Sequence, residues 1–316
     1  MANHRVPQAC RLDDALLPSR PMSRFARCKP GHRRRPTPRE SRPPLWGWLL
    51  WLLAVVLPGA ASCQGPSKAP LRVLAAQSLI DAFTAVKTAY QQTHPGVQLE
   101  LTTASSGQLR AQIEGGAPAD VFASASQHHM NLLAKKTLVV PGTRQDFAGN
   151  RMVLIVPQQS KLTAPQELTS AAVTHIAIGD WSHVPAGRYA REVLISQGLF
   201  EPLQAKLRQC QNVRQVLTYV AAGEVEAGFV YQTDATREQD RVKVVWTAPA
   251  TTHTAIRLPI AVVTASQRQG DAQRFVAFVS SPAGQAILGE HGFVVPPPPA
   301  RGSSPAGAES SVPITP

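Results

Sequence analysis

The 316-residue chain reads as an α/β protein built from two lobes, each a mostly parallel sheet flanked by helices. Three observations predict this. Apolar strand-like runs alternate with helical patterns from Leu71 onward, which calls for parallel sheets covered by helices. The alternation begins afresh after Gly149-Asn150, and the chain is too long for one ordinary domain. Several strands also end in a small-residue turn that opens directly into a helix.

The elements follow in order. Leu71 to Ala76 is a strand, and Asp81 to Gln92 a helix whose Ala82, Phe83, Val86, Ala89 and Tyr90 share one face. Val97 to Thr102 alternates as a strand, and Gln108 to Ile113 is a short helix stopped at Gly115-Gly116. Asp120 to Ala123 is a third strand and Gln127 to Ala134 a helix. Beyond Asn150, Met152 to Pro157, His175 to Gly179 and Ala227 to Tyr231 are strands of the fully buried type. Helices are predicted over Gly187–Gln197 and over Val213–Ala222, where Val213, Val216, Leu217 and Val220 keep the i, i+3, i+4, i+7 spacing. Val242 to Trp246 and Leu258 to Thr264 are two more strands, followed by helices over Asp271–Val279 and Pro282–Leu288.

The ends of the chain differ in character from this middle. Residues 1–45 hold eleven Lys or Arg against Asp13, Asp14 and Glu40, with many prolines and no apolar periodicity, a composition that does not bury a core. They carry net +8 of the chain's +12, so the high overall charge describes the leader more than the folded part. Arg33-Arg34-Arg35 admits two readings, an anionic-surface patch or the basic region of a targeting signal. Its place just before the 12-residue apolar run Trp46–Leu57 favours the signal, and no nucleic-acid partner is expected. That run is too short to span a bilayer, which takes about 20 residues. With Pro58-Gly59-Ala60-Ala61-Ser62-Cys63 after it, residues 1–63 form a basic leader and signal peptide, and export is the consequence. Cleavage near Ala61 and lipidation at Cys63 both fit, although Ala60 stands where the lipoprotein pattern usually has leucine. Met22 is an alternative start. Residues 64–70 read as a linker and residues 297–316 as a disordered Pro/Ser-rich tail. Cys210 is the single cysteine of the folded part and lies in a polar stretch with no adjacent base, so it reads as structural.

Four helix starts carry the chemistry. Ser78 closes the first strand and opens the first helix; Ser105-Ser106-Gly107 does the same after the second strand. Val184-Pro185-Ala186-Gly187 and Gln211-Asn212-Val213 open helices in the second lobe. A helix start aims unpaired N–H groups and the positive end of its dipole at a ligand, and open α/β sheets bind ligands at the carboxyl ends of their strands. Any one such turn is ordinarily a cap. Four of them, none flanked by an acidic residue, point to an oxyanion held by dipoles rather than by lysine or arginine. Hydrogen bonds to a charged group contribute roughly 1.5–3 kcal/mol each, so about seven donors supply on the order of 10–20 kcal/mol against desolvation. Donors alone offer no acceptor to an oxyanion's own O–H, which favours the fully ionised species.

These residues, with Gly116-Ala117-Pro118-Ala119-Asp120, His183-Val184-Pro185-Ala186-Gly187 and Gly228-Phe229-Val230-Tyr231, resemble the periplasmic molybdate-binding proteins of ABC uptake systems, in order from about Leu71 to Val295. The resemblance implies a two-lobed periplasmic-binding-protein fold with the ligand in the interlobe cleft. Residues 71–150 plus 252–296 then make lobe I and 151–251 lobe II, with hinges near Asn150–Arg151 and Ala250–Ile256. It implies oxyanion ligation by Ser78 and Ser106 through hydroxyl and N–H, by Ala186 and Val213 through N–H, and by the Tyr231 phenol. It further implies molybdate or tungstate as ligand, delivery to a membrane permease, a monomer, no cofactor, no direct protein–cation ligands and no enzymatic activity. Trp181 and Gln77 depart from the family's pattern, and Trp181 is expected to alter loop shape and selectivity.

Two rival readings are weaker. A serine hydrolase finds no Gly-x-Ser-x-Gly elbow in the folded part and no histidine near Ser78 or Ser106 in sequence, with only His183 open as a spatial neighbour. His128-His129 suggests a metal but lacks a companion at helical spacing, so both are expected at the surface. Asp120 and Asp180 are expected to brace turns rather than to form a carboxylate pair.

Overall fold

A computed structural model describes residues 69–295. The expectations for the leader, Cys63, most of the linker and the tail fall outside those residues. Ten strands form two five-stranded sheets, and among the described residues no helix is long and apolar enough to cross a membrane.

The first sheet has the order β2-β1-β3-β10-β4, from β1 (Leu71–Ala76), β2 (Leu99–Ala104), β3 (Val121–Ala123), β4 (Gln145–Gly149) and β10 (Arg257–Val262). The second has the order β7-β6-β8-β5-β9, from β5 (Met152–Pro157), β6 (Ile176–Gly179), β7 (Leu207–Cys210), β8 (Ala227–Tyr231) and β9 (Val242–Thr247). The two orders are one pattern used twice. In each sheet four strands point the same way and the fourth in spatial order, β10 or β5, runs against them. Those reversed strands are the ones the chain enters on passing between lobes, after Gly149 and again after Thr247. The second passage holds a single 3₁₀ turn, Ala250–Thr252, before β10 begins. The first is strapped by Val294, whose N–H and C=O both bond Gly149 at 3.0 and 2.7 Å.

Helices cover both faces of the first sheet, which is why its central strands lack polar alternation. Val73 and Ala75 face α1 (Ile80–Thr93) and α8 (Gln269–Val279), where Phe83, Phe147, Phe275 and Tyr90 pack edge to face at centroid distances of 5.3–6.3 Å. Leu74 faces the other way, into Leu109, Ile113, Met130 and Leu133 from α2 (Ser106–Glu114) and α3 (Gln127–Lys135). In the second lobe α4 (Pro185–Ser196) and α6 (Val213–Ala222) bury Tyr189, Val193, Val216 and Val220 against a β5 in which Met152 to Val156 are all buried.

Beyond the 3₁₀ turns, four elements have no counterpart in the sequence prediction, one of them the single-turn α5 (Phe200–Leu203). β4 and β7 are edge strands that expose polar residues, Gln145-Asp146 and Arg208-Gln209, so the buried-strand signal is missing. The six-residue α7 (Gln232–Arg237) is too short and polar to show an apolar face.

Candidate functional site

All four predicted helix starts meet in one small pocket. It is lined by the chain from Ala76 to Ser78, by Ser105, Ser106 and Ala125, by Val184 to Ala186, and by Asn212, Val213 and Tyr231. No Lys, Arg, Asp or Glu lines it. The carboxyl ends of β1, β2, β3, β6, β7 and β8 all point here, three from each lobe.

Each helix start is made differently. Ser105 caps α2 with a reciprocal capping box: its Oγ accepts from Gln108 N–H at 3.3 Å while Gln108 Oε1 accepts from Ser105 N–H at 3.1 Å. That leaves Ser106 at the first helical position with its side chain fully buried, its Oγ accepting the Ala125 N–H at 3.0 Å. Ser78 sits in a single 3₁₀ turn (Gln77–Leu79) ahead of α1, and its buried Oγ has no partner. Such an orphaned hydroxyl is costly in a folded interior unless a ligand uses it.

In the second lobe the two helix starts offer backbone donors alone. Asn212 caps α6 through Oδ1, which accepts Gln215 N–H at 3.0 Å, and Val213 follows as the first helical residue. At α4 no side chain caps the helix; Pro185 occupies its first position, where the missing N–H removes no intrahelical bond. Ala186 comes next, fully buried. Gly187 lets this helix sit directly on the end of β6, because a Cβ there would lie 1.8 Å from Gly179 O. The loop before it is braced by Asp180, whose N–H donates to Cys210 O at 2.8 Å and whose Oδ1 accepts from Ser182 N–H at 2.8 Å and Ser182 Oγ at 2.6 Å. Burial alone would raise the Asp180 carboxyl; the Ser182 bonds and His183 outweigh it and hold it low.

Tyr231 ends β8 with 1% of its surface exposed, and its hydroxyl donates to Ala125 O at 3.4 Å. Burial, and secondarily the neighbouring Tyr189, push its pKa well above the ordinary phenol value, so it is a neutral donor. Ala125, bonded to both Ser106 and Tyr231, is the pocket residue that the sequence reading passed over. The small-residue run Ser124-Ala125-Ser126 between β3 and α3 repeats the strand-to-helix design and was the available signal.

The lobes touch at the mouth of the pocket. Gly107 N–H donates to His183 O at 2.9 Å across the cleft, and a Cβ on Gly107 would lie 2.5 Å from His183 Cβ.

Trp181 does not line the pocket; its ring packs edge-on against Phe200 at 5.9 Å with Arg191 above both rings. Gln77 does line it. His129 is a correction: it is 3% exposed rather than superficial, and burial, with His128 next, lowers its pKa to about 3. No group of three metal-ligating side chains occurs among the described residues. Asp120 braces β1 and β3, accepting from Arg72 N–H at 2.7 Å and Ser266 Oγ at 2.5 Å. Cys210 is buried, which raises its thiol to about 11. No histidine reaches the pocket, and His183 Nδ1 lies 3.1 Å from Ser182 Oγ and 3.5 Å from Asp180, leaving Ser78 and Ser106 without a base. A wider surface hollow lies at the opposite end of β8, around Gly223, Val225 and Glu226, away from every helix start described.

A family model for bacterial extracellular solute-binding proteins matches residues 71–294. The chain belongs to this family. Like the rest of the family it binds a solute and is not an enzyme. This solute-binding protein is 34% identical over 232 residues to the molybdate-binding protein ModA of Haemophilus influenzae, covering 72% of this chain and 91% of that one. Among solved structures, the substrate binding domain of a putative molybdenum ABC transporter from Clostridium difficile is 36% identical with a TM-score of 0.58, covering 72% of this chain and 99% of the other. The periplasmic molybdate-binding protein of Azotobacter vinelandii, 24% identical with a TM-score of 0.65, covers 72% of this chain and 100% of its own and shares the two-lobed fold.

Proposed function

We propose that this protein captures molybdate outside the cytoplasm and delivers it to the membrane permease of an ABC transporter, with tungstate, of nearly the same size, as a second ligand. Ser78 and Ser106 donate through hydroxyl and N–H, Ala186 and Val213 through N–H, and Tyr231 through its phenol. The observation that carries the reading is the pocket's composition: four uncharged helix starts and a neutral phenol, drawn from both lobes, with no charged side chain in the lining. Such a site favours a small, fully ionised oxyanion, because amide dipoles and helix ends stabilise negative charge without lending a counter-charge that would also accept other anions. The relatives named for molybdate or molybdenum point the same way. The protein acts as a monomer without a cofactor or nucleic-acid partner, is exported by its signal peptide, and is either released or anchored through Cys63.

Isothermal titration with molybdate, tungstate, sulfate and phosphate tests this. Tight binding of the first two and weak binding of the others is expected; no tight binding to molybdate or tungstate overturns the reading.

A further inference from the structure

One residue outside the pocket lining, charges cross the seam between the lobes. Asp81 lies three residues after Ser78, in the first turn of α1. Arg214 directly follows Val213, in the first turn of α6. Arg214 Nη2 reaches Asp81 Oδ2 at 3.0 Å, and Arg237 of α7 takes the carboxylate's other oxygen. Arg214 also faces the buried Asp234 at 3.7 Å, and its Nε and Nη1 are buried without hydrogen-bond partners. Close by, Asn150 Nδ2 donates to Thr233 Oγ1 at 3.0 Å.

The placement of this pair is informative. α1 packs on the first sheet and α6 on the second, so neither lobe needs the Asp81–Arg214 contact for its own core. The two helices it joins are the ones at whose starts Ser78 and Val213 meet the pocket, Ser78 from the 3₁₀ turn just ahead of α1 and Val213 from the first turn of α6. A carboxylate so near an anion site is also unfavourable by charge alone, which makes its presence there a question.

We propose that Arg214 and Asp81 form a closure latch: the ion pair forms when the lobes come together and holds the α1 and α6 helix starts on the anion at the same time. The inference rests on the anion-binding reading above. Both are positioning residues, and the latch acts by slowing ligand release rather than by touching the ligand. The Asp81 side chain is 39% exposed and that of Arg214 18%, so the pair is of intermediate strength, and about a three- to tenfold change in affinity is expected.

A simpler account, in which Arg214 only attracts the anion by charge, makes the opposite prediction at Asp81. Removing the acid would then tighten binding, whereas a latch predicts that it weakens. The experiment measures molybdate affinity and stopped-flow release for the full exported protein and for Asp81→Ala, Asp81→Asn, Arg214→Met and the Asp81→Ala/Arg214→Met double variant, with ligand-free melting as the folding control. The latch predicts weaker binding and faster release in Asp81→Ala and Arg214→Met, a double variant no worse than the poorer single, and ligand-free melting close to the parent in Asp81→Ala, whereas Arg214→Met also strips Asp234 of its facing charge and melts lower for that reason. Asp81→Asn serves if Asp81→Ala fails to fold. Tighter binding in the Asp81 variants, additive losses in the double, or unchanged release overturns the latch while leaving the anion site standing. Failure of the parent protein to bind molybdate overturns both, and is distinguished by appearing before any substitution is made.

Discussion

The two lobes build the same sheet pattern and meet the pocket with the same device, yet they supply it with different chemistry. Lobe I offers hydroxyl-bearing residues, Ser78 and Ser106, whose side chains and amides share one place. Lobe II offers Ala186 and Val213, which have no side-chain donor, and adds one phenol from the end of a strand. On the proposed reading, recognition in lobe I is therefore written in side chains and open to substitution. In lobe II it is written in where two helices begin, and the residues that set this are Pro185, Gly187 and the Asn212 cap rather than the donors themselves.

The glycines provide the sharpest break between these two modes. Gly187→Ala forces a Cβ into the Gly179 carbonyl within lobe II, so α4 has to leave its seat on β6. A destabilisation of about 2–4 kcal/mol, seen in melting with or without ligand, and loss of molybdate binding are expected. Parent-like melting would mean that the helix start is not held by that contact.

Gly107→Ala meets His183 first, across the cleft. The clash belongs to the closed state, so ligand-free melting is expected to stay at the parent value while affinity falls by about 1–3 kcal/mol, the usual cost of overpacking. Equal losses in both measurements would show that the lobes are in fixed contact.

Substituting the donors themselves separates the lobes more finely. Ser106→Ala removes a hydroxyl that also receives the Ala125 N–H, and titration should show about 1–3 kcal/mol of lost affinity. Val213→Ala keeps its N–H and should leave affinity within about twofold. A Val213 effect as large as that of Ser106 would remove the distinction between the two lobes.

Each lobe also buries a carboxylate, with opposite consequences. Asp120 in lobe I is met by two donors. Asp234 in lobe II is 1% exposed and neither of its oxygens is hydrogen-bonded, so burial, outweighing the pull of Arg214, raises its pKa to about 7. Because the folded value lies above the unfolded one, the folded state holds the extra proton between about pH 4 and 7. This group's contribution is present at the acid end and is lost as pH rises through that window, by at most about 1.4 kcal/mol per pH unit. Chemical denaturation from pH 4 to 8 should show that component, and Asp234→Asn should remove it; an unchanged profile in the variant would place the proton elsewhere.

Much of this was legible in the sequence because buried strands and amphipathic helices declare their periodicity. The helix over Val213–Ala222 was predicted to its ends, since Asn212 and Gly223 bracket a clean apolar stripe. β4 and β7 were missed because edge strands keep one polar side, and their pairing with β10 and β6 is decided by tertiary contact. Within the site, the four helix starts were readable as turn chemistry. The closeness of Asp81 and Arg214 was not, as it joins residues 133 positions apart. The expectation that no acid flanks the turns held for the pocket lining and failed one helical turn behind it.

The fully buried Ala186 amide has a last consequence for how such a site is inherited. A donor that belongs to the main chain survives every change at its own position except one to proline, so that position tolerates any other residue that fits. The structural constraint there falls on the proline before it and the glycine after it. A search for this function that looks for reactive side chains would pass over the half of the site that is hardest to lose.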